Sequence, residues 1–320
     1  MKLIKSEAKY IPQESGLEGI YKQIELAGRT CYKSEDKITE DSAKGFVDRM
    51  IKSKHYAMLE HGTIYLKFKT VKPAINPLDK YYHNKYSKIR TESEHGINLI
   101  KEVFVTTNLR VLVENNWLDD LQYLCEPTEY HEKRYTFKFT TDQGVLREIT
   151  RHRVFSFAVE STRYCNYSKN KFNNEVTYII PSWVNTDLPV CNTLKDDWGE
   201  LFPEYYYKLT DLGEQEKKYG NKDLRDFIYA LSVCEKIYFS LLDAGWKPQQ
   251  ARNVLPLATK CDMFMTGFIS DWKHFFDLRL FGTTGKPHPD MELLASKASK
   301  EAVRANIIND IVSNPSNIKI

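Results

Sequence analysis

The spacing of apolar residues changes repeatedly along this chain between three-to-four and two, and each change marks an element. Between residues 16 and 32, Ile20, Ile24, Ala27 and Cys31 recur at helical spacing, and Gly28 and Arg29 suggest a terminating turn before Thr30-Cys31-Tyr32. A second helix is signalled by Asp41-Ser42 as cap candidates and by Phe46, Val47, Met50 and Ile51 on one face. From Thr63 to Thr70 the period falls to two. There Ile64, Leu66 and Phe68 alternate with Tyr65, Lys67 and Lys69, the signature of a half-buried strand. Residues 72–100 carry no clear period. Glu102 to Thr107 reads as a short strand, and Asn108 caps a helix carrying Leu109, Leu112, Val113, Trp117, Leu121 and Leu124.

Tyr135 to Thr140 alternates again and predicts another strand. Asp142-Gln143-Gly144 then turns the chain into a short apolar helix, Val145 to Thr150. Val176 to Ile180 is strand-like and closes on Pro181. Two long helices are expected over 193–218 and 222–243, the second with Phe227, Leu231, Cys234, Tyr238 and Leu241 as its stripe. Pro248 suits the first position of a further helix that ends at Leu255-Pro256. Asp271 caps a helix with Trp272, Phe275, Phe276 and Leu278 inward and Arg279 at its end, and 290–311 is a last amphipathic helix after a Gly/Pro/His loop. The fold class is α+β, with a central, mainly antiparallel sheet flanked by long helices. No internal repeat or linker divides the chain, so a single domain over 1–320 is expected.

Composition narrows the class without naming a task. Hydrophobic content of 42% beside 28% charged residues is ordinary for a soluble globular protein. A net charge of +3 is too small to announce nucleic acid binding. The six cysteines are scattered without a C-x-x-C pair, which argues against structural zinc and against a disulfide framework. The N-terminus turns charged at once, and no apolar run reaches the ~20 residues that span a bilayer. The expectation is a reduced, cytoplasmic protein with neither membrane nor nucleic acid as partner.

The chemistry concentrates in Arg151-His152-Arg153, seven residues, then Ser161-Thr162-Arg163-Tyr164. Arginine is costly among aromatic and apolar side chains unless it meets an anion. Here the spacer Val154-Phe155-Ser156-Phe157-Ala158-Val159 is apolar enough to be buried. A cationic cluster in an apolar frame suits a phosphate-bearing ligand. Glu60-His61 and His131-Glu132 invite a metal reading, but their spacing fails the H-E-x-x-H pattern and no third ligand lies near in sequence, so no metal is expected.

These residues and their order resemble the flavin-dependent thymidylate synthases. Besides the Arg-His-Arg, Ser, Arg-Tyr block, His55 through His61 is similar to the family's N-terminal His…Glu-His element. Ala251-Arg252-Asn253-Val254-Leu255-Pro256 looks like its Ala-Arg-x-x-Leu-Pro element, and Phe275 to Arg279 like its late Leu-Arg element. The resemblance implies reductive methylation of dUMP to dTMP. Methylenetetrahydrofolate would give the carbon, FAD would carry the hydride, NADPH would reload the flavin, and a homotetramer would share its active sites. It implies dUMP contacts from Glu148, Arg151, Ser161, Arg163, Arg252 and Arg279, with Arg279 and Ser161 as the catalytic candidates. FAD contacts are expected from His61, Arg151, His152, Arg153, Ser270 and His274. Arg163 and Arg252 suit a dianionic phosphate, and Arg279 would stabilise charge at N3 and O4 of the uracil. Ser161 has no His-Asp partner in view, which favours positioning over covalent attack.

The chain also departs from the family. Glu148 replaces a frequent Gln, a poor neighbour for phosphate unless it orients an arginine. Ala158-Val159 stands where Asn-Glu is common, Phe268-Ile269-Ser270 replaces a flavin-binding stretch, and His274 stands where Asn often does. Extra length is expected near 72–130 and 185–222. Two rival readings remain: a flavoprotein reductase without nucleotide methylation, and a nucleic-acid-binding protein stacking bases on Tyr164 and Tyr167.

Overall fold

In the computed structural model, which describes residues 1–69, 79–93, 100–184, 222–313 and 315, the alternating segments pair into three sheets. Strands β1 (Lys2–Ile4), β2 (Glu7–Tyr10), β3 (Thr63–Lys69), β4 (Lys88–Ser93), β5 (Ile100–Asn108), β6 (Arg134–Asp142), β7 (Ser156–Val159), β8 (Thr177–Ile179) and β9 (Lys260–Phe268) follow one another along the chain. The largest sheet runs β2-β6-β9-β7, with β2 antiparallel to β6 and β7 antiparallel to β9. A second, antiparallel sheet has the order β3-β5-β4. The expected α+β class with mainly antiparallel sheets is what the structure has. The expected helix over 193–218 lies outside the described residues.

The chain folds as two units. One comprises Glu7–Thr141, Val145–Ser161 and Cys261–Ile320, the other Met1–Ser6, Asp142–Gly144 and Thr162–Lys260. In the larger unit, odd residues of β6 (Tyr135, Phe137, Phe139) and β9 (Cys261, Met263, Met265) face an aromatic core with Phe155, Trp272, Phe275 and Phe276. Each fully buried phenylalanine there contributes about 1.5–3 kcal/mol over its exposed state. Phe264 and Ala158 belong to a second core with Ile20, Ile24, Phe46, Leu59 and Ile64. Strand β9 is therefore buried on both faces, and its burial is nearly unbroken. Burial on both faces removes the alternation of apolar and polar residues that marks a half-buried strand.

In the smaller unit, β1 and β8 pair in parallel, and Cys165, Tyr167, Val176, Tyr178, Leu231 and Tyr238 form the core. The helix Lys222–Asp243 matches the expected span, and Leu231 and Tyr238 of its stripe are buried.

Several boundaries differ from expectation. The first helix runs Gly16–Tyr32 through Gly28, because Gly28 is there for close packing: a Cβ would sit 2.4 Å from Phe46 Cζ. The helix stops instead at Lys33, in the left-handed region at φ 49. Strand β3 is buried on both faces over its first four residues, since Tyr65 packs on His131 and accepts the Arg134 N–H at 3.1 Å. Asn108 does cap a helix, accepting from Val111 N at 3.2 Å, but that helix is only Leu109–Glu114. Asn116, at φ 59, ends the run and a 3₁₀ turn follows over Leu118–Tyr123. Asn306, at φ 56, likewise divides the last helix into Pro289–Arg304 and Ile308–Ile311. Asp271 sits inside the first turn of the Ile269–Arg279 helix, and its carboxylate reaches back to the Phe268 N–H at 3.1 Å.

Candidate active site

The helix Gln143–Ile149 ends in a tight turn that carries the Arg-His-Arg triplet. His152 N–H donates to Ile149 O at 3.0 Å and Phe155 N–H to His152 O at 3.1 Å. This winding sends Arg151, Arg153 and Val154 outward and His152 and Phe155 inward. The expected cationic cluster in an apolar frame is thus split. The two guanidinium groups are solvated, which removes their burial cost, and only the imidazole enters the core. Phe155 anchors the turn, its ring edge-on to Trp272 at 4.8 Å.

His152 is buried against Arg279. The Arg279 Nε donates to His152 Nε2 at 3.0 Å, Nη1 lies 3.3 Å from Glu148 Oε2, and Nη2 donates to Glu148 O at 3.3 Å. Burial first, then Arg279 and His274, push the His152 pKa down to about 4. The ring is therefore neutral at physiological pH and carries its proton on Nδ1, leaving Nε2 to accept. Among the described residues, three of the five guanidinium N–H groups of Arg279 are engaged, which fixes the plane of the group. His274 is exposed one turn earlier on the same helix, its ring 6.3 Å from that of His152. The structure thus brings together Glu148, His152, Arg279 and His274. Glu148 faces the arginine, the orienting arrangement that its charge favours over contact with phosphate.

In the smaller unit, Arg252 follows the short helix Pro248–Ala251. Its Nη1 donates to Thr162 Oγ1 at 2.8 Å, beside Arg163 in sequence. Arg163 itself is exposed, with its guanidinium 5.7 Å over the Tyr164 ring. Ser161 belongs to the larger unit and is half-buried; its N–H donates to Cys31 O at 2.9 Å.

Two expected flavin contacts have other neighbours. The His61 side chain is fully enclosed, with Nδ1 2.8 Å from Thr266 Oγ1, which is itself 2.8 Å from Thr136 Oγ1. Burial, then the nearby Arg134, push its pKa down to about 3. The Ser270 hydroxyl donates to Glu132. Charges that motif reading did not single out also appear. Arg134 is 8% exposed, its guanidinium held by Glu60 O, Thr63 Oγ1 and Ser156 Oγ at 3.1–3.3 Å. Lys33, Glu160 and Asp262 form a further buried cluster. No local motif marks these residues. Arg134 and Asp262 stand at even positions of β6 and β9, opposite in parity to the residues of those strands that face the aromatic core, whereas Lys33 and Glu160 lie outside the strands.

The enclosed histidines predict a pH dependence. His61 and His152 bind fewer protons folded than unfolded, because both folded pKa values lie below 6.5. Their contribution to stability is complete above about pH 6.5 and falls as the pH drops toward about 4, by up to about 1.4 kcal/mol per pH unit for each histidine. Thermal denaturation between pH 7.5 and 5 is expected to show a falling Tm, with a shallower fall in His61→Gln. A flat profile would contradict the neutral, buried state of these rings.

The family described as thymidylate synthase complementing protein matches residues 124–306. A probable flavin-dependent thymidylate synthase of Paramecium bursaria Chlorella virus 1 is 26% identical over 156 residues, covering 49% of this chain and 61% of that protein. A flavin-dependent thymidylate synthase of Synechocystis sp. is 27% identical over 165 residues, covering 51% and 64%. The chain therefore spans less than two thirds of the length of these curated relatives. A solved UMP/dUMP methylase, PolB from Streptomyces cacaoi bound with 5-Br dUMP, aligns over 97% of this chain and 95% of its own at 15% identity and a TM-score of 0.41. With more than half of its residues matched by the family, this chain belongs to the thymidylate synthase complementing proteins.

Proposed function

We propose that this chain methylates dUMP reductively to dTMP, with methylenetetrahydrofolate as carbon donor, FAD as hydride carrier and NADPH as reductant. The observation that carries the reading is Arg279, a guanidinium oriented by His152 and Glu148, with two N–H groups unengaged among the described residues. In the family-based assignment that cation meets the uracil. Negative charge developing at N3 and O4 would be stabilised by a donor that needs no reorganisation. Electron density at C5, the carbon that attacks the methylene donor, rises as a result. Arg163 and Arg252 are the phosphate-binding candidates, by bidentate and charge-assisted hydrogen bonds. The neutral His152 acts as acceptor toward Arg279 and is thereby a positioning residue.

Arg151 and Arg153, both exposed, fit an anionic cofactor and would hold the flavin; His274 offers a ring and a donor on the neighbouring helix. A bound flavin supplies the hydride that completes the methyl group. His61 does not fit as a direct contact within one chain, because its ring is enclosed. The family resemblance further supports a homotetramer with shared active sites, which light scattering of the purified protein tests.

Ser161 is proposed to position dUMP. Ser161→Ala is expected to raise the KM for dUMP about tenfold, the size of one hydrogen bond to a charged group, while turnover is largely kept. Loss of all turnover, or a covalent dUMP adduct absent from the variant, would show a nucleophile instead. For the reading as a whole, FAD titration of the purified chain followed by a dUMP-dependence assay is the test. Binding of neither FAD nor dUMP would overturn it.

A further inference from the structure

We propose that Lys33, together with Glu160 and Asp262, forms a buried charge clamp that positions Ser161 for the pyrimidine nucleotide; this rests on the dUMP reading above. Lys33 follows the Gly16–Tyr32 helix at φ 49 and ψ 54, the left-handed conformation that glycine adopts most readily. A lysine tolerates that backbone strain here and turns its side chain inward, where it is 14% exposed. Its ammonium bonds the Asp262 carboxylate and lies 3.4 Å from Glu160 Oε2 and 3.6 Å from Glu35 Oε1. Asp262 and Glu160 are themselves only 5% and 4% exposed.

The clamp continues through the backbone. Glu160 N–H donates to Asp262 O at 2.8 Å, and Asp262 N–H donates back to Glu160 Oε2 at 2.9 Å. Thr140 Oγ1 donates to Asp262 Oδ1 at 2.6 Å, and Lys138 Nζ lies 3.7 Å from Oδ2. The next residue, Ser161, donates its N–H to Cys31 O, two residues before Lys33. The backbone of 160–161 is therefore tied on one side to β9 and on the other to the end of the first helix, and Lys33 is the cation that joins the two. Burial alone would push the Lys33 pKa down, but Glu160, Asp262 and Glu35 more than offset it, so the ammonium stays charged.

Burying two carboxylates costs much more than burying apolar side chains, and a pair of this kind is weak evidence for stability on its own. Removing Lys33 takes away the cation between Glu160, which follows β7, and Asp262 in β9, and sets the two carboxylates against each other. The two segments then separate, and Ser161 moves with them. A structural pair and a positioning clamp differ in what else changes. The first lowers Tm alone, while the second also weakens the nucleotide.

The test measures dUMP affinity, FAD affinity and Tm for the FAD-loaded wild type, Lys33→Met, Lys33→Arg and Glu160→Gln. Lys33→Met is expected to weaken dUMP by about tenfold or more with FAD affinity unchanged, and Lys33→Arg to restore most of the loss. Glu160→Gln keeps an oxygen to accept the Asp262 N–H and keeps the Lys33–Asp262 pair, so it folds even where Lys33→Met does not. It is expected to weaken dUMP by a smaller factor. A lowered Tm with dUMP affinity intact in either variant overturns the clamp. A wild type that binds FAD but not dUMP fails the functional reading itself, before any variant is compared.

Discussion

Arg279→Ala is expected to lower the rate of dUMP methylation by roughly 10²–10³-fold, the usual consequence of removing one preorganised donor. Flavin affinity is expected to stay within a factor of a few. The size follows from how much of the surrounding structure serves this one side chain. His152 gives up its Nε2 to it, and Glu148 offers both its carboxylate and its carbonyl. Such an arrangement lowers the cost of stabilising charge only if the cation faces charge that develops during reaction. Glu148→Gln, which keeps the carbonyl contact and a side-chain oxygen, is expected to lose about tenfold. Steady-state kinetics beside flavin titration separates the effects. Equal loss of turnover and flavin binding in Arg279→Ala would refute its assignment to the uracil.

The second large effect is on stability. Gly267→Ala would put a Cβ 2.3 and 2.4 Å from Cδ1 and Cε1 of Phe155. That ring cannot swing aside cheaply, because it is 6% exposed and wedged against Trp272 at 4.8 Å and Phe275 at 6.4 Å. Overpacking of this kind costs about 1–3 kcal/mol, and each kcal/mol lowers Tm by about 2–4 °C in a domain of 150–250 residues. The damage also reaches the site, since Phe155 N–H donates to His152 O and the turn presents Arg151 and Arg153. Gly267→Ala is therefore expected to lose activity at temperatures where it is still folded. A second change, Phe155→Leu, makes room for the added methyl and is expected to recover part of the Tm. An unchanged Tm in Gly267→Ala would contradict the packing described here.

What could be read from residues alone depended on whether the physics was local. Helix Gly16–Tyr32, the Asn108 cap and strands β3 and β6 announce themselves by periodicity and capping chemistry. Strand β9 does not, because burial on both faces erases alternation and Asp262 and Thr266 interrupt its apolar run. Asn116 and Asn306 could be continued as helix by pattern, yet each takes up the left-handed conformation and ends one. In the candidate site, the order of motifs singles out Arg151–Arg153, Arg252 and Arg279 as candidates, but not what each touches. The Arg279–His152 and Lys33–Asp262 contacts join residues far apart in the chain, and no spacing rule reaches across them. Glu148 is the partial exception. Its charge alone argued for an arginine partner, and Arg279 is that partner.

Whether the chain methylates dUMP is decided by incubating it, purified, with FAD, NADPH, methylenetetrahydrofolate and dUMP and separating the nucleotides by chromatography. dTMP is expected, formed only when all four are present and formed far more slowly by Arg279→Ala. Oxidation of NADPH at full rate without dUMP and without any dTMP would contradict it, and would mark the chain as a flavin reductase.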